Sequence, residues 1–186
     1  MEKLIKKEKK YLSEFERQKA EIRRLWNLDE KSQHLIYMLI RMKNPRRMLE
    51  IGTSNGFSAF WWSLALEEGS GVLDTIEVFE ERYLMAKRNL VSRKNIRQYF
   101  GKAEDIIPDL SEKYDFVFID AGKIGYISYI KLLENKLADN AVVVADNTIS
   151  HAETVAEYLD FIRNSPHFTT MELPVDSGLE ISIFKR

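Results

Sequence analysis

At 186 residues, 45% hydrophobic and 31% charged, the chain has enough for one domain with a real core and too little for two ordinary ones. A net charge of −1 argues against a wholesale nucleic-acid binder, and the absence of cysteine excludes a disulfide framework and thiol chemistry, which agrees with a reducing cytoplasm. The longest apolar run, residues 57–66, contains Ser58 and Ser63 and is too short to span a bilayer, and the N-terminus is charged from Glu2 onward, so neither a membrane span nor a signal peptide is expected.

Residues 2–26 are charged, lack Gly and Pro, and carry Leu4, Ile5, Tyr11, Leu12, Phe15, Ile22 and Leu25, which predicts one long helix with a narrow apolar stripe. Residues 1–24 hold nine Lys/Arg against five Glu, a balance of +4. Such a run is a solvated face, a packing arm between subunits or a contact for RNA phosphates. Asp29 is placed to cap a second helix, Lys31–Met42, which Asn44-Pro45 ends. The chain through residue 28 reads as a helical extension of a single domain.

Strands and helices then alternate. Strands are predicted at Met48–Ile51, Val72–Val78, Ile96–Phe100, Phe116–Ile119, Ala141–Ala145, Phe168–Leu173 and Leu179–Phe184. Helices are predicted at Ser58–Glu67, Glu80–Ser92, Ala103–Leu110, Tyr126–Asn135 and Ala152–Asn164. Alternation of this kind predicts a doubly wound α/β sheet. Only a turn-rich link, residues 174–178, joins the last two strands, which predicts an antiparallel hairpin at the end of a parallel sheet.

Ligands of such sheets bind at the carboxyl ends of the strands. The residues there are Gly52–Phe57, Glu77, Gly101–Glu104, Asp120–Lys123 and Asp146-Asn147, all polar or glycine where an apolar strand stops. The glycine loop at 52–56 presents N–H groups and a helix N-terminus, but it has neither the G-x-G-x-x-G of dinucleotide binders, since position 54 is serine, nor a P-loop lysine. S-adenosylmethionine, nucleotide-like and without phosphate, fits it. Glu77 stands where a carboxylate accepts ribose hydroxyls; otherwise it is a solvated glutamate heading the next helix. Asp120, Asp146 and Asn147 offer three oxygen ligands to a hard cation such as Mg²⁺, unless Asp146-Asn147 only caps a helix. Lys123 is a candidate general base, against the common solvated lysine. Trp61 and Trp62 are expected in a core or an interface, and His151 is a candidate lining residue.

The segments LEIGTSNGFSA (49–59), GKAEDIIPDL (101–110), YDFVFIDAGK (114–123), VADNT (144–148) and LPVDSGLE (173–180) resemble the cation-dependent O-methyltransferases, the family of catechol and caffeoyl-CoA O-methyltransferases. The resemblance covers about residues 30–186 in order, and the pairing of F-I-D-A-x-K with a later A-D-N is its specific part. It implies a Rossmann-like seven-stranded methyltransferase sheet, mostly parallel with an antiparallel C-terminal strand, plus N-terminal helices. It implies S-adenosylmethionine held by Glu50, Gly52, Ser54, Phe57 and Ser58, with Glu77 on the ribose, Val78, Ala103 and Glu104 beside the adenine, and Asp120 close by. It also implies a divalent cation on Asp120, Asp146 and Asn147, Lys123 as the catalytic base, and Glu180 touching the acceptor. Gly122, Gly125 and Ala138-Asp139-Asn140 depart from the common pattern, and the stretch between Asn147 and the hairpin is short.

The expected reaction is methyl transfer to a small, catechol-like hydroxylated acceptor, in a cytoplasmic homodimer. A hydroxylated tRNA base is the rival acceptor, favoured by the basic N-terminal helix and tested by salt-sensitive tRNA binding. A non-catalytic cofactor-binding module is the rival of a different class.

Overall fold

The computed structural model describes residues 6, 8–21, 25 and 27–186. The elements in chain order are α1 Lys9–Glu21, α2 Glu30–Lys43, β1 Arg47–Ile51, α3 Phe57–Leu66, β2 Val72–Glu77, α4 Glu80–Asn89, β3 Ile96–Phe100, α5 Ala103–Asp109, β4 Tyr114–Ile119, α6 Tyr126–Leu133, β5 Leu137–Asp146, α7 Ala156–Asn164, β6 Phe168–Leu173 and β7 Leu179–Phe184. Seven strands form one sheet in the order β3-β2-β1-β4-β5-β7-β6, with β7 antiparallel to both its neighbours and the other pairings parallel. Strand order reverses between β1 and β4, which opens a crevice above their carboxyl ends.

Two cores flank the sheet. Leu49, Ile51, Val117, Ile119, Val143 and Ala145 face Ile107, Tyr126, Ile130, Tyr158 and Ile162 of α5–α7. Met48, Leu73, Phe116, Phe118 and Val144 face Ile36, Ile40, Phe60, Trp62 and Ala86 of α2–α4. β1 and β4 are largely apolar on both faces, with Glu50 the buried exception in β1, because helices cover both. α3 is apolar nearly all round, since it lies between the sheet and the N-terminal helices. Trp61 and Trp62 are accordingly core: Trp62 meets Phe118 edge-on at 5.4 Å and Trp61 meets Tyr37 at 6.2 Å.

The N-terminal stripe packs within its own chain. Phe15 lies 5.7 Å from Phe60 and Tyr11 lies 5.5 Å from it, so these residues give no argument for a second subunit. Leu4, Ile5 and Ile22, and part of the basic run, lie outside the described residues.

Three local expectations need correction. Asp29 occupies the N-cap position of α2 but makes no capping bond. Asp176, from the β6–β7 turn, accepts from Ser32 N–H (2.8 Å) and Ser32 Oγ (2.7 Å) instead. β5 begins at Leu137, four residues before the predicted start, because left-handed Asn140 (φ 60°) lets the strand continue through an irregularity. The final core helix begins at Ala156, since left-handed Asn147 (φ 63°) opens a series of turns over 148–155.

Candidate functional site

β1 ends at Ile51, and the chain enters the crevice at Gly52 with φ 103°. A Cβ there would fall 2.0 Å from the Asp120 carbonyl oxygen, so only glycine lets the loops after β1 and β4 meet. The loop turns through Ser54 (φ 51°) and Gly56 (φ 87°) into α3. At the end of β2, Glu77 holds this turn: Ser54 N–H donates to its Oε2 at 2.7 Å and Phe79 N–H to its Oε1 at 2.9 Å. Phe57 and Ser58 head α3, exposed Val78 follows Glu77, and Ala103 and Glu104 open α5 across the next loop. These residues therefore stand at the carboxyl edge of β1–β3.

Glu50 is fully buried beneath that loop. Thr75 Oγ1 donates to its Oε2 at 2.6 Å, and Thr53 Oγ1 lies 2.6 Å from Thr75 Oγ1. Its other oxygen, Oε1, has no hydrogen-bond partner. Burial pushes the carboxyl up to about 8, opposed by Thr75, Ser58 and Trp62 and reinforced by the charge of Asp120. A buried carboxylate oxygen without a partner, next to a loop shaped for a nucleoside, suits the ammonium end of S-adenosylmethionine.

Across the crevice, Ile119 pairs with Ala145, so the next residues, Asp120 and Asp146, stand side by side at the ends of β4 and β5. Adjacent strands run roughly 4.8 Å apart. Burial first and the Asp120 charge second raise the Asp146 carboxyl above its ordinary range; the Asn147 N–H and Lys123 oppose this, and Asp29 adds to it. Lys123 Nζ lies 2.9 Å from Asp120 Oδ1. Two neighbouring carboxylates, with an amide residue next in the chain, suit a hard divalent cation. Among the described residues no group of three or more His, Cys, Asp or Glu is arranged for a metal; the third residue of this trio is Asn147.

The structure separates Glu180 from this cluster. Glu180 pairs with Ala145, not Asp146, so its side chain lies on the α5–α7 face of the sheet. There it is fully buried, forked by Arg163 Nε (3.1 Å) and Nη2 (2.6 Å), and it accepts from Thr170 Oγ1 at 2.6 Å. With both oxygens engaged it is not free to meet an acceptor. His151 is exposed and bonds Ser150.

Two residues escaped the sequence reading. Buried Tyr126 shares its hydroxyl between the carbonyls of Ile119 (3.2 Å) and Asp146 (3.1 Å), clasping the strand ends that carry the acids. The signal was available: an aromatic with a polar tip opens the helix after β4. Asp29 adds a further negative charge near Asp146. Beside Lys123, a depression of about 330 Å³ is lined by Glu104, Ile124 and Tyr129, and nothing lies within 4 Å of where a Gly122 side chain would begin.

A family profile described as O-methyltransferase matches residues 2–182. The chain is similar to a catechol O-methyltransferase of Niastella koreensis, 32% identical over 131 residues, which is 66% of this chain and 58% of that protein. It is similar to caffeoyl-CoA O-methyltransferase 1 of Arabidopsis thaliana, 28% identical over 188 residues and covering 84% and 71% of the two chains. The chain thus spans less than two thirds of the first relative. Among solved structures, the O-methyltransferase TomG of Streptomyces achromogenes, in complex with SAM, superposes with TM-score 0.78 at 25% identity, covering 86% and 82%. A Bacillus cereus O-methyltransferase in complex with SAH shares the fold, with TM-score 0.84 at 21% identity over 95% and 91%.

Proposed function

The chain belongs to the O-methyltransferase family, and on that premise we propose that it moves a methyl group from S-adenosylmethionine to a hydroxyl oxygen of a small, catechol-like acceptor. When bound, the donor supplies an activated sulfonium methyl, and a divalent cation supplies Lewis-acid polarisation of the acceptor oxygen. Glu50 offers its unpartnered oxygen to the donor's ammonium. Glu77, fixed by two backbone N–H groups, accepts the ribose hydroxyls, and Val78, Ala103 and Glu104 border the adenine. Asp120, Asp146 and Asn147 hold the cation. Lys123, at 2.9 Å from Asp120, is the group that receives the acceptor proton. The protein's main contribution is position, since a near-attack arrangement is worth ~7–11 kcal/mol.

The observation that carries this reading is the register of β4 on β5, which sets Asp120 beside Asp146 with Lys123 at hand. EDTA, or Asp146→Ala, is expected to reduce turnover of a catechol probe by at least about a hundredfold while S-adenosylhomocysteine still binds. Full turnover in EDTA rejects the cation's role.

A further inference from the structure

We propose that Gln18 is a positioning residue for the donor site: through Asn55 it couples the seating of α1 to the shape of the glycine loop, so that α1 docking and donor binding reinforce each other. This rests on the donor reading above.

Gln18 is 7% exposed, and its amide is fully used. Its Nε2 donates to Asn89 Oδ1 (3.0 Å) and Glu14 Oε1 (2.8 Å). Its Oε1 accepts from Asn55 Nδ2 (3.2 Å) and Asn89 Nδ2 (2.8 Å). Asn89 Nδ2 also donates to the Asn55 carbonyl at 2.8 Å. Three amides from α1, the glycine loop and the end of α4 thus close on one another, Gln18 and Asn55 buried and Asn89 partly so. Asn55 is fully buried and lies between the left-handed residues Ser54 and Gly56. Ser54 is the residue whose N–H grips Glu77. An unbroken path therefore runs from α1 through Gln18, Asn55 and Ser54 to the proposed ribose carboxylate.

A second contact reaches the same loop. Phe15, on the same helix, meets Phe57 edge-on at 5.5 Å. α1 therefore holds the turn at both ends, one by hydrogen bonds and one by a ring. A helix that only braced the fold could tie to Asn89 alone; the bond to Asn55 enters the segment whose backbone faces the ligand. A left-handed serine persists only where its surroundings over-determine it, and these contacts do so. Coupling of this kind is reciprocal: whatever α1 gives the donor site, a bound donor returns to α1.

The test uses S-adenosylhomocysteine as probe, with calorimetry for affinity and hydrogen exchange for α1. In the unmodified protein the probe should slow amide exchange across residues 9–21. Gln18→Leu, which keeps the bulk and loses the amide, should weaken the probe about tenfold and abolish that protection. In an Asn55→Ala background the same change should add less than about twofold, because its partner in the loop is gone. A Gln18→Leu protein that melts earlier yet binds the probe like the parent overturns the proposal, as does unchanged exchange over 9–21 on binding; the latter measurement decides even if the variant fails to fold. A parent protein that does not bind the probe at all refutes the donor reading itself.

Discussion

The two halves of the crevice hold their acids differently. On the β1–β2 side, two backbone N–H groups satisfy both oxygens of Glu77, while Glu50 takes a threonine hydroxyl on one oxygen and leaves the other unpartnered. On the β4–β5 side, burial and the charges of Asp120 and Asp29 raise the Asp146 carboxyl, and Lys123, 2.9 Å from Asp120, opposes them. The first half is built in advance for a ligand of fixed shape. The second is electrostatically unbalanced until positive charge arrives. On the proposed reading, this contrast is why the sheet edge would bind a donor without a cation and still need one for chemistry.

The sharpest way to break the comparison is to break the point where the halves touch. Gly52→Ala places a Cβ 2.0 Å from the Asp120 carbonyl, which is backbone and cannot step aside, at φ 103°. The expected loss is upwards of about 3 kcal/mol by denaturant unfolding, from steric overlap and backbone strain together. A loss below about 1 kcal/mol, ordinary for a point change, shows that the loops are not locked as described.

Glu50 gives the next effect, through pH. Its carboxyl is raised from 4.5 to about 8 in the folded protein. Between those values the folded state binds more protons than the unfolded chain, so stability falls as pH rises through the window and levels off above it. The span is roughly 5 kcal/mol on the linkage scale. Unfolding in EDTA at several pH values should show this slope, and Glu50→Gln should flatten it. S-adenosylhomocysteine should bind more tightly as Glu50 ionises; an affinity that is flat with pH or lost in that direction removes Glu50 from the ammonium.

Paired variants then separate the halves. Lys123→Met should lower turnover by about 10²-fold or more with the probe's affinity nearly unchanged, the signature of a proton acceptor. Glu77→Ala should do the reverse, weakening the probe by about tenfold or more through two lost loop contacts. If both variants act on the same parameter, the division of labour is wrong.

Much of this was legible before the structure. Strand ends announced themselves as mostly apolar runs stopping at Gly52, Glu77, Asp120 and Asp146, because buried parallel strands stay largely apolar until they emerge. What the chain concealed was which face a side chain takes. LEISIF alternates visibly, with Leu179 and Ile181 on one side and Glu180 and Ser182 on the other. Yet only the register of β7 on β5, with Glu180 opposite Ala145, says which side belongs to the acids, and a shift of one residue would reverse it. The left-handed turns at Asn140 and Asn147 were equally hidden, since asparagine permits that conformation without demanding it. Gln18 read as one polar residue in a charged helix; its partners lie 37 and 71 residues away.

The smallest effect belongs to Asp176, whose carboxylate crosses 144 residues of sequence to cap α2 at Ser32. The same turn takes the N–H groups of Thr148 (3.1 Å) and Ile149 (3.2 Å) on the carbonyls of Gly178 and Ser177, so it anchors both α2 and the loop just past Asn147. Asp176→Ala removes the cap and leaves those backbone bonds intact. The expected cost is about 1 kcal/mol, read as a melting temperature a few degrees lower. Probe affinity should hold, because α2 meets the crevice on the acid side, where Asp29 bears on Asp146. A cap loss that weakened the donor site as much as Gln18→Leu would show the two halves to be one mechanical unit, and the contrast between them would be one of charge alone.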